Sequence, residues 1–166
     1  NAVKFEVNDD IKADVLNVLP PMRAGTIAQQ TGLANINARW CDVNYMTYES
    51  KVHAGIHVIG DSIQLAPLMP KSGHMANQQG KVAAAAIIEL LAGRAPHTQP
   101  VVMNTCYSFV DAKSAIHVAS IHQYSAEQKT MLTVPGSGGV SGGGATELEG
   151  TYAMAWAQNI WADMLA

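Results

Sequence analysis

Residues 40–80 constrain this chain most, because they set a carboxylate, a turn and a helix start in immediate succession. Ile56-His57-Val58-Ile59 is an apolar run of β type, stopped by Gly60-Asp61. A loop rich in proline and methionine follows, and Ser72-Gly73 opens a long apolar helix. A short parallel-type strand ending in Gly-Asp would place a carboxylate at the carboxyl edge of a sheet, where open α/β folds bind their ligands. A helix start close behind it brings free backbone N–H groups and the positive end of a dipole toward an electron-rich ligand. The remaining segments are read around that site.

Upstream, residues 14–21 read as a short buried strand ended by Pro20-Pro21, and residues 24–31 as a short helix closed by Gly32. One strand and one helix cannot cover both faces of a sheet. Residues 1–35 are therefore expected to be the tail of an α/β domain whose earlier strands precede this chain; alternatively the strand adds to a sheet made later. Residues 40–44 and 52–60 are expected as two strands joined by the polar segment Thr47-Tyr48-Glu49-Ser50. Ser72 is the expected N-cap of a helix reaching about Leu91, with Gly93 and Pro96 as stop signals. Its second half, residues 82–88, is apolar nearly all round, which predicts burial on several sides.

Three alternating runs follow, residues 101–110, 114–124 and 128–134, with connections short enough for a three-stranded antiparallel sheet. In the first run Met103, Tyr107 and Phe109 share one face, and Asn104, Cys106 and Ser108 the other. Cys106 is thus placed either as a site residue or as a partly buried structural thiol. The glycine-rich residues 135–144 lack the Lys-Ser/Thr of a phosphate loop and the GxGxxG spacing, and read as a mobile surface loop. Thr146-Glu147-Leu148-Glu149 is a capping box opening a last helix, on which Tyr152, Trp156, Ile160 and Met164 form a stripe expected to pack in the core.

Composition excludes some functions and shapes others. Charged residues make up 14% of the chain and hydrophobic ones 48%, so little surface is dressed for water. The chain is expected to be buried against partner chains or to be part of a larger protein, with dimers or other homo-oligomers of this piece as a consequence. A net charge of −3 and the lack of any basic run give no footprint for nucleic acid. No apolar run approaches a membrane span. His53 and His57 are four apart in a stretch read as extended, and His117 and His122 fall on opposite strand faces, so no metal site is expected. There is no GxSxG nucleophile elbow. Whether Cys41 and Cys106 pair as a disulfide is a question of distance.

Several of these motifs are familiar together. Thr47-x-Glu49-Ser50 followed by Ile56-His57-Val58-Ile59-Gly60-Asp61 resembles the second FAD-binding motif of flavoproteins with two dinucleotide-binding domains. The longer run from Met69-Pro70-Lys71-Ser72-Gly73-His74 to Gly80-Lys81, with Asn104-Thr105-Cys106-Tyr107-Ser108 and Trp156-Ala157-Gln158-Asn159-Ile160, resembles the flavin-binding subunit of flavocytochrome c sulfide dehydrogenase, in its carboxyl-terminal portion. The similarity covers nearly the whole chain.

The resemblance implies an α/β and α+β fragment in three pieces. Residues 1–35 would be the tail of the second dinucleotide-binding (NAD(P)-type) domain, residues 40–93 the returning segment of the FAD-binding domain, and residues 97–166 a three-stranded interface domain with a C-terminal helix. It also implies FAD as cofactor. Asp61 would accept a hydrogen bond from the ribityl chain with Gly60 allowing close approach, Lys71, Ser72 and Gly73 would face the pyrimidine end of the flavin, and Asn77 and Trp156 would belong to its pocket. Cys106 matches the family cysteine of a redox-active disulfide, attacked by hydrosulfide, with electrons passing through the flavin to a haem c of a cytochrome subunit in the periplasm. A sulfide:quinone oxidoreductase-like flavoprotein is the nearest alternative, and a non-catalytic interaction or oligomerisation module the alternative of another class. Because the pyrophosphate loop and a cysteine partner are not found in these residues, the isolated chain is expected neither to bind FAD tightly nor to oxidise sulfide.

Overall fold

The computed structural model describes residues 1–165. At the amino end, β1 (Ala2–Val3) and β2 (Ile11–Lys12) pair antiparallel as a minimal ladder. The strand expected over residues 14–21 does not form. Its apolar side chains have no neighbouring strand to lie beside, and Leu19 is 93% exposed. The helix that follows is as expected: α1 (Thr26–Gln30) ends at Thr31, with Gly32 at φ +73°.

The next segment corrects the strand assignment. β3 (Val43–Asn44) pairs antiparallel with β4 (Glu49–Ser50), so the polar segment read as a connector contains the second strand itself. Tyr48 turns the hairpin at φ +59° and is wholly buried. Residues 52–60, read as a strand, run irregularly. The Ser50 hydroxyl accepts the Val52 and His53 N–H groups and Gly55 sits at φ +75°, which bends the chain where the apolar pattern implied extension. A bridge between Glu49 and His57, two backbone bonds and the Gly55 N–H donated to Glu49 Oε1 at 2.7 Å hold the run against the hairpin. Gly60–Ser62 is a 3-10 turn, and the parallel pairing falls one step later, between Cys41 and Ile63. Asp61 therefore lies on a turn, not at a strand end.

α2 (Gly73–Leu91) starts where expected. Ser72 is extended, and its hydroxyl accepts the Met75 N–H at 3.0 Å. His74, Met75, Gln79, Ala83 and Ala86 are its buried residues, a single stripe, while Leu91 is 85% exposed. The second half is thus covered on one face and not on several. Leucine and isoleucine on the outer face have no packing element among the described residues.

The sheet of the carboxyl half follows its alternation. β5 (Val101–Phe109), β6 (Ala115–Ser125) and β7 (Thr130–Thr133) form an antiparallel meander. A short β8 (Gly139–Val140) pairs with β6 beyond the end of β7. The glycine-rich segment is therefore tied to the sheet and is not simply a loose surface loop. The Ser137 hydroxyl accepts the Ile121 N–H at 3.1 Å, and the Ser141 hydroxyl accepts the His117 N–H at 2.7 Å. α3 (Glu147–Leu165) is opened by Thr146, whose Oγ1 accepts the Glu149 N–H at 3.1 Å, as the capping box requires. Its expected core stripe is only half right: Trp156 and Ile160 are half-buried, but Tyr152 and Met164 are exposed, and the buried residues are Gly150 and Ala153. Small residues let α3 approach the sheet closely, which a stripe of large ones would prevent.

Two apolar clusters hold these parts together. Tyr45, Tyr48, Ile63 and Met75 pack with Val102 of β5 and Met131 of β7, joining the hairpin segment to the sheet. Ala24, Ala28, Leu33 and Cys41 form a smaller cluster, and Val58 touches both.

Candidate functional site

The 3-10 turn is held against α2 by backbone proximity. Gly60 lies at φ +71°, and a Cβ there would stand 3.3 Å from that of Ala76, tight enough to push turn and helix apart. The Gly60 N–H donates to Gln79 Oε1 at 2.6 Å, which fixes the turn on the buried stripe of the helix. Lys71 completes the clamp: its ammonium donates to the carbonyls of Asp61 at 2.5 Å and Ile63 at 2.9 Å, and sits 3.8 Å from the centre of the Trp40 ring. Burial pushes the Lys71 pKa down, opposed by the charges of Asp61 and Cys41.

The carboxylate of Asp61 makes no hydrogen bond or ion pair among the described residues. It lines a cavity of about 520 Å³ with Trp40, Ser62 and Lys71, the opposite wall coming from residues 19–25. A solvent-accessible carboxylate with free lone pairs, beside an ammonium and an indole, is suited to hold hydroxyl donors and an aromatic, electron-rich group.

On the other side of the helix start lies the thiol. The Ser72 hydroxyl donates to Asn104 Oδ1, and the Asn104 amide donates to Cys106 Sγ at 3.3 Å. The thiol can in turn donate to Oδ1, at 3.6 Å. Asn104 is 3% exposed and Cys106 half-buried. Cys106 also lines a cavity of about 380 Å³ with Ser108, Ile116, Val118 and Val140, on the sheet face away from α3. Both cysteines are free, so Cys41 and Cys106 are not paired with each other. Cys41 is sealed in the smaller apolar cluster, and burial raises its pKa.

A second group of side chains occupies the opposite face. His74, at the second position of α2, accepts the Thr105 N–H on its Nδ1 at 3.0 Å, satisfying a donor on the open edge of β5. Its ring meets Trp156 edge-on at 5.4 Å, and Trp156 in turn packs 5.8 Å from Tyr107. Beyond Tyr107, His117 Nδ1 donates to Glu149 Oε2 at 2.7 Å. Asn77 donates to Asp163 of α3 at 2.9 Å.

The predicted residues thus fall into three neighbourhoods around one helix start. Gly60, Asp61 and Lys71 share the cavity side, and Ser72 and Cys106 share the thiol line. Asn77 and Trp156 lie in the seam between α2 and α3, with Gly73 at the head of the helix. Sequence reasoning missed Asn104 and His74 as connectors. For Asn104 a signal existed, since it stands two residues before Cys106 and shares its strand face.

A thiol strand is thus packed on a capped helix start beside a carboxylate-lined cavity. Residues 98–165 match the family described as flavocytochrome c sulphide dehydrogenase, flavin-binding. The match takes in β5 to α3, with Asn104, Cys106 and Trp156, and supports the carboxyl-terminal portion of the flavin-binding subunit. The flavin-binding description of that family supports FAD as the cofactor of the full-length protein. The Asp61 carboxylate, the Gly60 approach and the helix start fit such a group. No helix among the described residues is long and apolar enough to cross a membrane.

Proposed function

We propose that the full-length protein is the FAD-bearing subunit of a sulfide dehydrogenase, in which Cys106 is one half of a redox-active disulfide and a c-type cytochrome subunit takes the electrons in the periplasm. The observation that carries this reading is the free, half-buried Cys106 thiol on an open sheet face, bonded toward the start of α2, within the residues that match the family. In the oxidised enzyme Cys106 is bonded to a second cysteine of the full-length chain. Hydrosulfide attacks one sulfur, the S–S bond breaks, a persulfide forms on the attacked sulfur and the other departs as thiolate. Bound FAD supplies a two-electron acceptor that can release electrons singly. In sum, hydrosulfide loses two electrons and a proton and leaves as zero-valent sulfur.

Around the cofactor, Asp61 and Gly60 would receive the ribityl hydroxyls. Lys71, Ser72 and Gly73 would present the positive helix end to the pyrimidine edge, and Asn77 and Trp156 would shape the pocket through α3. The exposed apolar residues Trp161 and Met164, neighbours on one face of α3, support burial of that face against other chain or a partner. Light scattering of the 166-residue chain is accordingly expected to show association that rises with concentration.

In the full-length flavoprotein, Cys106→Ser is expected to retain the flavin absorbance and lose sulfide-driven cytochrome reduction. Wild-type reduction rates in that variant would sink the reading. The 166-residue chain alone, with no GxGxxG loop in its sequence, is expected to stay colourless after incubation with FAD and removal of the excess.

A further inference from the structure

We propose that Asn104 is a positioning residue that stabilises the Cys106 thiolate, and that Ser72 polarises it for this task. The inference rests on the reading of Cys106 as a reacting thiol. The geometry carries it: one buried amide touches both the N-cap hydroxyl of α2 and the sulfur. The Ser72 hydroxyl accepts the Met75 N–H and donates its proton to Asn104 Oδ1, and in this arrangement the amide presents Nδ2 to Cys106. A hydrogen bond received at Oδ1 withdraws charge from the amide and strengthens Nδ2–H as a donor. An N–H donor aimed at sulfur favours the thiolate over the thiol.

The same arrangement connects cap and chemistry. A negative sulfur is stabilised through Asn104 by a hydroxyl that already anchors the helix start, so α2 can influence the thiol without touching it. Across the sheet the positions level with Cys106 are apolar, Val118 on β6 and Val140 on β8. The charged or titratable groups on the surrounding elements include Lys71 before α2, His74 and Lys81 on α2, His122 on the Cys106 face of β6, Tyr107 on the opposite face of β5, and the His117–Glu149 pair of β6 and α3. The substitutions below leave all of these in place.

The test is the pH dependence of Cys106 alkylation by iodoacetamide in the reduced 166-residue chain, resolved from Cys41 by peptide mass spectrometry. Asn104→Leu, which keeps approximate volume and removes both amide groups, is expected to raise the midpoint by about one pH unit, a roughly tenfold slower reaction at neutral pH. Asn104→Thr, which returns a hydroxyl donor, is expected to recover part of that shift. Ser72→Ala leaves the amide in place and is expected to shift the midpoint the same way by less. It serves as the deciding variant should Asn104→Leu fail to fold. An unchanged midpoint in folded Asn104→Leu, or in Ser72→Ala in its stead, overturns the proposal. Neither flavin nor sulfide enters the measurement. A shifted midpoint alongside a sulfide-active Cys106→Ser enzyme would therefore retain this inference and reject the redox reading.

Discussion

Replacing Gly150 with alanine is expected to lower stability by about 3 kcal/mol, at or beyond the upper end of the usual cost of overpacking. A Cβ at this position would lie 1.7 Å from the Lys113 carbonyl oxygen and 2.8 Å from its carbon, with the Phe109 ring at 3.4 Å. The obstacle is backbone, in the turn between β5 and β6, and cannot swing aside as a flexible side chain would. α3 must move away by more than an ångström. That movement would draw Glu149 from His117 and Trp156 from His74 and Tyr107, since all three contacts are made by the first three turns of the helix. Alanine is the better helix former by about 1 kcal/mol, so part of the steric loss is offset and the net effect still has the sign of the clash. Urea unfolding measures the loss, and tryptophan fluorescence of the folded state reports the displaced indole. Gly142→Ala is the control: a Cβ there meets nothing within 4 Å, and the substitution is expected to leave the midpoint near wild type. Equal midpoints for the two variants would refute the close approach of α3 to the turn.

Gly150 also marks the boundary between what the sequence makes visible and what it does not. Read along the chain, a glycine inside a helix is a small propensity cost; only the neighbouring turn shows that nothing larger fits. Local signals survive well. Ser72 and Thr146 cap their helices, Gly32 and Gly93 end theirs in the left-handed region, and the period-two runs became β5, β6 and β7. These features are decided within a few residues of themselves. The failures are long-range. Ile56-His57-Val58-Ile59 has strand composition but meets only the edge of a two-residue strand, and the Ser50 hydroxyl bends its approach. The apolar residues before Pro20 have no strand to join. At the site, Asp61 and Lys71, ten positions apart, come together through the loop between them, which the motif suggested. His117 and Glu149 meet across 32 residues, for which no pattern in the chain gave a cue.

Lowering the pH from 7 to 5 is expected to lower stability, ahead of the bulk of carboxylate titration. Two histidines are responsible. His122 on β6 is 0% exposed, and burial holds its pKa below the ordinary value. Its ring nitrogens face only hydroxyls, Ser120 Oγ at 3.0 Å and Thr133 Oγ1 at 3.5 Å. The His74 value is also lowered, chiefly by burial and further by the charge of Lys81. Its Nδ1 accepts the Thr105 N–H, a bond that needs an unprotonated nitrogen. Both groups therefore fold as neutral rings. Below about pH 6.5 the unfolded chain binds protons that the folded chain refuses, so stability stands at its plateau above that pH and falls below it. The slope is at most about 1.4 kcal/mol per pH unit for each ring, and it ends where the folded values are reached. Asp111 and Asp163, whose exposed carboxyls are held low by hydrogen bonds, act in a separate window below about pH 4. Urea midpoints at pH 7, 6 and 5 measure the effect, and a flat profile would contradict it. His74→Asn separates the two rings, because an amide oxygen can take the Thr105 N–H without titrating. Part of the slope is expected to vanish, leaving the part due to His122. Since His74 follows Ser72 by two residues, what remains in that variant is acid loss in the sheet, and what is removed is acid loss at the helix start on which both the cavity and the thiol line depend.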